Sequence, residues 1–303
     1  MEDSDSDRSY RDRIVVGIDG SEQSELAANW AAREAVAHGR GLTLVFAALP
    51  AVASYAFGPG VPMLPDVMDD IRGAAASELR RLADKLPGDD ILTAFVVGAA
   101  SGVLVVASSS AETIVVGSRG SGGFKGLLLG SVSNQVAAHA QCPVVIVRDE
   151  PRPGARNIVV GLDGSPASQA ALAFAFHEAS IHNWHLIALH AWDIPSYDLI
   201  DFSNAALPET LSGLVDEEMR LTAIALGGFA EDYPDVSVET RVIRGNTAEA
   251  LVTAATDAAM LVVGTRGHGR IVGAIVGSIS RAVMHHAQVP IAVIPASRES
   301  ESA

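Results

Sequence analysis

The sequence predicts an α/β fold made of two tandem doubly wound domains, each with a five-stranded parallel sheet and four helices. Three observations support this prediction. Short apolar runs alternate with segments of helical periodicity, the two halves of the chain align with each other, and one glycine pattern occurs once in each half. Alternating strands and helices with right-handed crossovers produce a parallel sheet that is covered on both faces.

In the first half, the apolar runs are continuous rather than alternating, as in Val144–Val147, which is typical of strands buried on both faces. Ser21 and Ser131 are expected to be N-caps of the helices that follow them. The strands are predicted at residues 14–19, 42–48, 91–97, 113–117 and 143–148. The helices are predicted at residues 22–38, 66–86, 101–110 and 131–140.

The second half repeats this order. Residues 14–21 return at residues 158–165 with an offset of 144, and the offset later becomes 147. Pro166 is expected in a first helical turn, where its missing N–H costs no hydrogen bond. The strands are predicted at residues 157–162, 185–191, 236–244, 260–264 and 290–294. The helices are predicted at residues 166–181, 209–231, 247–257 and 278–288.

The repeat also sets the predicted domain boundaries. Domain 1 is expected to cover residues 13–148, and domain 2 is expected to cover residues 157–295. Between them, residues 149–156 contain two prolines and several charges and are interpreted as a linker. The polar, acidic residues 1–12 are expected to form a disordered arm, and residues 296–303 a tail.

Composition excludes several classes of function. The formal net charge of −15 argues against a nucleic-acid binder and against adhesion to anionic membranes, since both need a basic face. The single cysteine, Cys142, leaves no intrachain disulfide and fits a reducing cytoplasm; it is interpreted as a small buried hydrophobe. No apolar run reaches the roughly 18 residues that a membrane-spanning helix needs. The sequence therefore predicts a cytoplasmic protein.

The glycine pattern is the main functional signal. Each copy follows a short apolar strand and precedes a helix, so its backbone amides can approach an anion closely. The copies are Gly117-x-x-Gly120, nine residues, Gly130-Ser131, and Gly264-x-x-Gly267, nine residues, Gly277-Ser278. Asp19 and Asp163 end the first strand of each half. If that strand neighbours the strand before the glycines, acid and loop share one crevice at the point where the strand order reverses.

These residues resemble the ATP-binding universal stress protein family, in the form that carries two domains in one chain. The resemblance covers Arg13 to Pro295. It implies a sheet ordered 3-2-1-4-5 in each domain and one ATP for each motif, two per chain, with Mg²⁺ as an optional companion. It also implies that the fifth strands of the two halves pair antiparallel. A homodimer of whole chains and unidentified protein partners are further expectations, with no nucleic-acid or membrane partner.

The resemblance, with the physical role of each residue type, nominates a set of nucleotide contacts. Glycines permit close backbone approach, the helix starts present amides and a hydroxyl, and basic side chains supply local charge. Asp19 and Asp163 are expected to accept a hydrogen bond from a ribose hydroxyl in preference to binding Mg²⁺. In the first half the set is Gly17, Asp19, Ala47, Gly117, Ser118, Arg119, Gly120, Gly122, Gly123, Gly130, Ser131, Val132 and Ser133, with Lys125 as a further cation. In the second half it is Gly161, Asp163, Ala191, Gly264, Thr265, Arg266, Gly267, Gly269, Arg270, Gly277, Ser278, Ile279 and Ser280.

Other interpretations remain open at this point. Asp19 is alternatively a turn residue at a helix start, and the exposed cations are alternatively solvated. No catalytic residue and no metal ligand is assigned, because the histidines between His177 and His190 do not share one face. The leading hypothesis is a nucleotide-dependent regulator or interaction module in the stress response, at most a slow ATPase. The alternatives are an adenine-nucleotide hydrolase or adenylate-transfer enzyme of the same superfamily, and a scaffold without nucleotide.

Overall fold

The structure is a computed structural model that describes residues 9–49, 65–121, 128–192, 220, 222–265 and 276–296. The chain divides into two compact units, Met1–Glu150 and Pro151–Ala303. Among the described residues, no helix is both long enough and apolar enough to cross a membrane.

Unit 1 alternates strands and helices along the described chain. Its elements are β1 (Ile14–Ile18), α1 (Glu22–His38), β2 (Leu42–Ala48), α2 (Pro65–Ala83), β3 (Ile91–Val97), α3 (Ala100–Ala107), β4 (Thr113–Gly117), α4 (Ser131–His139) and β5 (Val144–Val147).

Unit 2 repeats this alternation. Its elements are β6 (Asn157–Leu162), α5 (Pro166–His182), β7 (His185–Trp192), α6 (described over residues 222–232), β8 (Val238–Arg244), α7 (Thr247–Ala254), β9 (Met260–Gly264), α8 (Ser278–His286) and β10 (Ile291–Ile294). The part of the predicted helix 209–231 that precedes residue 220 lies outside the described residues.

The strand order confirms the predicted α/β fold. In unit 1 the order is β3-β2-β1-β4-β5, and in unit 2 it is β8-β7-β6-β9-β10, which is 3-2-1-4-5 in each case. The pairs β1–β2, β1–β4 and β4–β5 are parallel, as are the equivalent pairs of unit 2. The order reverses beside β1 and β6, so β1 lies next to β4 and β6 next to β9.

The central strands form the core of each unit. Val15, Val16, Val115 and Val159 are 0% exposed, as continuous apolar strands covered on both faces should be. Helices α1 and α2 pack against strands of unit 1, and α3 packs against β1, β2 and α4. Burial of this kind contributes roughly 1.5–3 kcal/mol for each large apolar side chain.

The start of α1 follows the sequence prediction. Ser21 is the N-cap, and its hydroxyl accepts the Ser24 N–H at 3.2 Å. Gly39 ends the helix with a φ of 62°, a left-handed conformation that glycine adopts without steric cost. Pro166 likewise lies in the first turn of α5, as predicted.

Several local predictions were wrong. The expected disordered arm does not extend over residues 9–12, because Tyr10 is 7% exposed and the Asp12 N–H donates to the Ser110 carbonyl at 3.0 Å. Helices α2 and α7 end at Ala83 and Ala254, three residues before their predicted ends.

Helix α3 ends at Ala107 and not at residue 110, because the hydroxyls of Ser108 and Ser109 donate to carbonyls three residues earlier and compete with continuation. Ser131 is not an N-cap: Gly130 holds that position with extended backbone, and Ser131 is the first helical residue of α4.

Cys142 lies before β5 and is 8% exposed. Burial raises the pKa of its thiol to about 12, so the thiolate is scarcely populated at neutral pH. The side chain therefore acts as a small buried hydrophobe in the structure, as the sequence suggested.

Candidate functional site

A crevice opens at the carboxyl edge of the unit 1 sheet. Strands β1 and β4 pair from Ile14 with Thr113 to Val16 with Val115, although β1 continues to Ile18 and β4 to Gly117. The two strands therefore separate over their last two residues. Because the strand order reverses there, the segments that follow β1 and β4 border the same opening.

Asp19 joins the two sides of this crevice. Its Oδ1 accepts the N–H of Ser21 at 3.0 Å and the Ser21 hydroxyl at 2.6 Å. Its Oδ2 accepts the N–H of Ser121, in the segment after β4, at 2.7 Å. Asp19 is thus both a turn residue at the start of α1 and a link to the glycine loop, so the turn interpretation and the crevice prediction are both correct in part.

The electrostatics of Asp19 follow from these contacts. Burial raises the pKa of its carboxyl, but hydrogen bonds from the Ser21 hydroxyl and from the backbone of Ser121 and Ser21 outweigh burial. The net pKa lies below the ordinary value, so Asp19 is a carboxylate at neutral pH. A carboxylate in this position can accept a hydrogen bond from a hydroxyl group of a ligand.

Close packing explains glycine at two positions of the loop. A Cβ at Gly117 would lie 2.7 Å from the carbonyl oxygen of Gln23, which belongs to α1 and cannot move aside cheaply. A Cβ at Gly120 would collide with Asp19 Oδ2. Both glycines therefore let the loop after β4 approach α1 and Asp19.

Gly130 differs from those two positions. Its φ is −75°, which any residue adopts, and a Cβ there would meet its nearest neighbours at 3.4 Å, an ordinary contact distance. Neither backbone conformation nor packing within the described chain requires glycine. Glycine has no side chain there, so a ligand could approach the backbone at the start of α4 closely.

The start of α4 has no side-chain cap at Gly130, whereas α1 is capped by Ser21. The first amides of a helix have no intrahelical partner, and the helix dipole favours an anion beside them. Ser131 is exposed and Val132 half-buried at this end.

Serines hold the loop in place. The Ser133 hydroxyl, 3% exposed, donates to the Gly117 carbonyl at 2.7 Å. The Ser118 hydroxyl is bonded to Gln23 Oε1 at 3.1 Å, and the Ser118 carbonyl accepts the Gly130 N–H at 2.8 Å. These two side chains hold the backbone on either side of the loop. Their contact with a nucleotide stays a prediction.

Unit 2 contains the same arrangement where it is described. Pairing of β6 with β9 also stops short, at Val160 with Val262. Asp163 Oδ1 accepts the Ser165 N–H at 3.0 Å, and a Cβ at Gly264 would lie 2.8 Å from the carbonyl carbon of Ala167.

The helix start of unit 2 matches as well. Gly277 is the N-cap of α8, and its N–H donates to the Thr265 carbonyl at 2.7 Å. The Ser280 hydroxyl donates to the Gly264 carbonyl at 2.6 Å. Ser278 and Ile279 are exposed at the start of α8.

Two residues nominated for an adenine contact lie just beyond the part of the second strand that pairs with the first, although both still pair with the third strand. The register of β2 on β1 ends at Phe46, and Ala47 follows it; the register of β7 on β6 ends at His190, and Ala191 follows it. The Ala191 carbonyl accepts the Thr247 hydroxyl at 3.4 Å, a contact that Ala100 at the equivalent position of unit 1 cannot make.

The structure describes only some of the other nominated residues. Gly17 and Gly161 lie within β1 and β6, where a Cβ would meet a leucine of α3 or α7, so they also serve packing. Arg119 is exposed beside the loop. The remaining nominees lie outside the described residues: Gly122, Gly123, Lys125, Arg266, Gly267, Gly269 and Arg270.

Sequence reasoning missed three participants. Ser121 contributes only its backbone N–H, and Gln23 acts through its amide and its carbonyl, so neither has a distinctive pattern. Arg148, the first residue after β5, donates to the Leu128 carbonyl at 2.6 Å just before the helix start. Its position immediately after a buried strand beside the loop was the signal that could have identified it.

Comparison with known proteins gives a consistent result. The family model of the universal stress protein family matches residues 11–148 and 154–295. A universal stress protein of Mycobacterium tuberculosis strain H37Rv is 38% identical over 295 residues, which cover 92% of this chain and 95% of that protein. One of Mycolicibacterium smegmatis is 34% identical over 292 residues, covering 93% and 96%.

Among solved structures, a universal stress protein from Archaeoglobus fulgidus superposes with a TM-score of 0.68 at 21% identity, covering 96% of this chain and 99% of that one. A putative universal stress protein from Pseudomonas aeruginosa gives a TM-score of 0.64 at 15% identity, covering 95% of each chain. At these identities the two structures support the fold alone.

Proposed function

Since the chain belongs to the universal stress protein family, we propose that it binds ATP at two crevices, one in each unit, and regulates partner proteins in the stress response. Occupancy of the crevices would alter the conformation of the protein or its choice of partner. In this proposal the protein acts by binding ATP, and it hydrolyses ATP slowly at most.

One observation supports this proposal above the others. The Asp19 carboxylate meets the Ser121 N–H of the glycine loop at 2.7 Å, where β1 and β4 separate. An acceptor for a ribose hydroxyl and a loop for phosphates thus border one opening, at the place where open parallel sheets bind ligands.

The chemistry of the crevice fits a nucleoside triphosphate. Amides at the starts of α4 and α8 can donate to phosphate oxygens, and the hydroxyls of Ser131 and Ser278 can add a donor each. The backbone at Ala47 and Ala191 is suited to the edge of an adenine ring. Mg²⁺, if it accompanies ATP, would be held chiefly by phosphates and water.

The overall charge makes local donors necessary. A chain with a formal net charge of −15 repels a triphosphate at long range. Exposed Arg119 and the uncapped amides of α4 would offset this repulsion at short range. Binding should therefore depend on loop geometry more than on the field of the whole molecule.

Substitution of one glycine in each unit tests the proposal. Gly120→Val places branched carbon against Asp19 Oδ2 and should eliminate binding in unit 1. Gly267→Val is the equivalent change in unit 2. Calorimetric titration with ATP should give one site in each single variant and none in the double variant. Gly73→Val is the matched control, because a Cβ at Gly73 meets nothing within 4 Å.

The alternatives predict different results. If wild-type protein releases no nucleotide on heat denaturation and binds none on titration, the scaffold hypothesis replaces this one. If ADP or AMP is released at about 1 per second or faster, the chain is an enzyme of the same superfamily. Unchanged ATP binding in the double variant would reject the glycine loop as the site.

The remaining expectations belong to the same proposal. We propose a cytoplasmic protein that forms a homodimer and has protein partners of its own. Fractionation of cells and light scattering of purified protein, with and without ATP, would test location and assembly.

A further inference from the structure

Arg148 connects the end of β5 to the exit of the glycine loop in unit 1. Its side chain reaches back 20 residues, and Nη2 donates to the Leu128 carbonyl at 2.6 Å. Leu128 lies two residues before Gly130, the N-cap of α4. Arg148 itself is 8% exposed, so the guanidinium is held rather than mobile.

A second guanidinium lies beside this connection. The Ser118 N–H donates to the Val147 carbonyl at 2.8 Å, which brings the next residues, Arg119 and Arg148, side by side. Burial lowers the pKa of Arg148, and the charge of Arg119 lowers it further, against an opposing effect of Asp149. Two guanidinium groups therefore lie near the start of α4, where their charge would favour a bound anion.

The equivalent residue of unit 2 cannot form this connection. With the offset of 147, that residue is Pro295, which has neither a side-chain donor nor an N–H. Leu128 corresponds to Ile275, which lies outside the described residues. Unit 2 therefore serves as the internal control for a substitution at Arg148.

We infer that Arg148 is a positioning residue that fixes the chain at the start of α4, so that the affinity of unit 1 for the phosphates of ATP depends on it. This inference rests on the nucleotide binding proposed above. Arg148 holds the carbonyl that precedes the helix start, and thereby fixes the amides that receive phosphate. A helix start that is held in position before the ligand arrives reduces the entropic cost of binding.

Affinities measured one site at a time test this inference. The Gly267→Val background isolates unit 1, and the Gly120→Val background isolates unit 2. In the first background, Arg148→Met should weaken ATP binding about tenfold, the effect of one charge-assisted hydrogen bond. Adenosine, which has no phosphate, should bind as before. In the second background, Arg148→Met should leave the affinity for ATP unchanged.

Two further variants separate positioning from general stability and charge. Arg148→Lys keeps the charge and provides a donor on a shorter side chain. It should therefore recover part of the lost ATP affinity, and the affinity for adenosine should again be unchanged. Arg152→Met removes an equal charge from a side chain that is 68% exposed, and it should change neither affinity. If Arg148→Met does not fold, Arg148→Lys still provides the comparison of ATP with adenosine.

The results that would contradict the role of Arg148 differ from those that would contradict the proposed function. Unchanged ATP affinity of Arg148→Met in the Gly267→Val background, or equal losses for ATP and adenosine, would overturn the role of Arg148 while leaving nucleotide binding intact. Absence of ATP binding in the wild-type protein would overturn the proposed function, and this inference with it.

Discussion

Gly117 and Gly130 belong to one motif, yet their surroundings differ. A Cβ at Gly117 would press on the backbone carbonyl of Gln23 at 2.7 Å, whereas a Cβ at Gly130 would meet its neighbours at 3.4 Å. The first glycine serves the packing of β4 against α1. The second supplies no side chain at the start of α4, where the proposed phosphate would bind.

We therefore expect opposite effects from alanine at these positions. Gly117→Ala should lower the free energy of unfolding by about 1–3 kcal/mol through overpacking. Gly130→Ala should cost about 1 kcal/mol or less, because it changes only an N-cap. ATP affinity should nevertheless fall in Gly130→Ala. Urea unfolding and calorimetric titration measure the two quantities, and unchanged affinity in Gly130→Ala would contradict a phosphate at this helix start.

Asp19 leads to a prediction about pH. Its pKa in the folded protein lies below the ordinary value, so the stabilisation that it provides is complete above about pH 4, the unfolded value. That stabilisation is lost as the pH falls through the lowered folded pKa. The stability difference between wild type and Asp19→Asn should thus be constant from about pH 8 to pH 5 and shrink in stronger acid.

Unfolding by urea across this pH range, with Asp163→Asn measured beside it, checks the prediction for Asp19. A stability difference between wild type and Asp19→Asn that instead changes near neutral pH would show that the carboxylate is not held by Ser21 and Ser121 as described.

At the scale of secondary-structure elements, the two kinds of helix start have different tasks. Helices α1 and α5 begin at serine caps that satisfy their own amides, while α4 and α8 begin at glycines. A capped start stabilises the fold. An uncapped start keeps its amides available to an anion.

A pair of alanine substitutions separates these tasks. Ser21→Ala should reduce the free energy of unfolding by about 1 kcal/mol, because an N-cap is lost. Ser131→Ala should leave stability within about 0.5 kcal/mol, since Ser131 is exposed and already helical. Titration should show weaker ATP binding in Ser131→Ala. A larger stability loss in Ser131→Ala than in Ser21→Ala would reverse this assignment.

Helix α5 is fixed in unit 2 by an aromatic cluster. Phe176 is 0% exposed, and its ring stacks on Phe229 at 5.5 Å and on Tyr233 at 5.7 Å between centroids. Phe176→Ala should destabilise unit 2 by about 3–5 kcal/mol. Ile224→Ala, at a side chain that is 62% exposed, is the control and should change stability little; comparable losses in both would contradict the described packing.

Across the whole molecule, the regular elements were largely predictable. Continuous apolar strands such as β5 and a helix bounded by Ser21 and Gly39 carry local signals, and the structure confirms the α/β fold with order 3-2-1-4-5. The internal repeat strengthened each assignment. The end of α3 was wrong because serine side chains compete with backbone bonds, an effect that periodicity does not reveal.

The site was less predictable, since its contacts connect distant parts of the chain. The contact of Asp19 with Ser121 spans 102 residues and uses a backbone amide that every residue type has. The contact of Arg148 with the Leu128 carbonyl likewise uses a backbone group that every residue type has. Sequence indicated which residues border the crevice, but the atoms that hold the loop depend on its folded path.

The crevice between β1 and β4 is proposed to hold ATP by its loop and helix start. A crystal structure grown with excess ATP would show whether it does. We expect phosphate oxygens within about 2.7–3.2 Å of the amides at Ser131 and Val132, with ribose beside Asp19. A crevice that stays empty, or a nucleotide bound elsewhere on the protein, would contradict it.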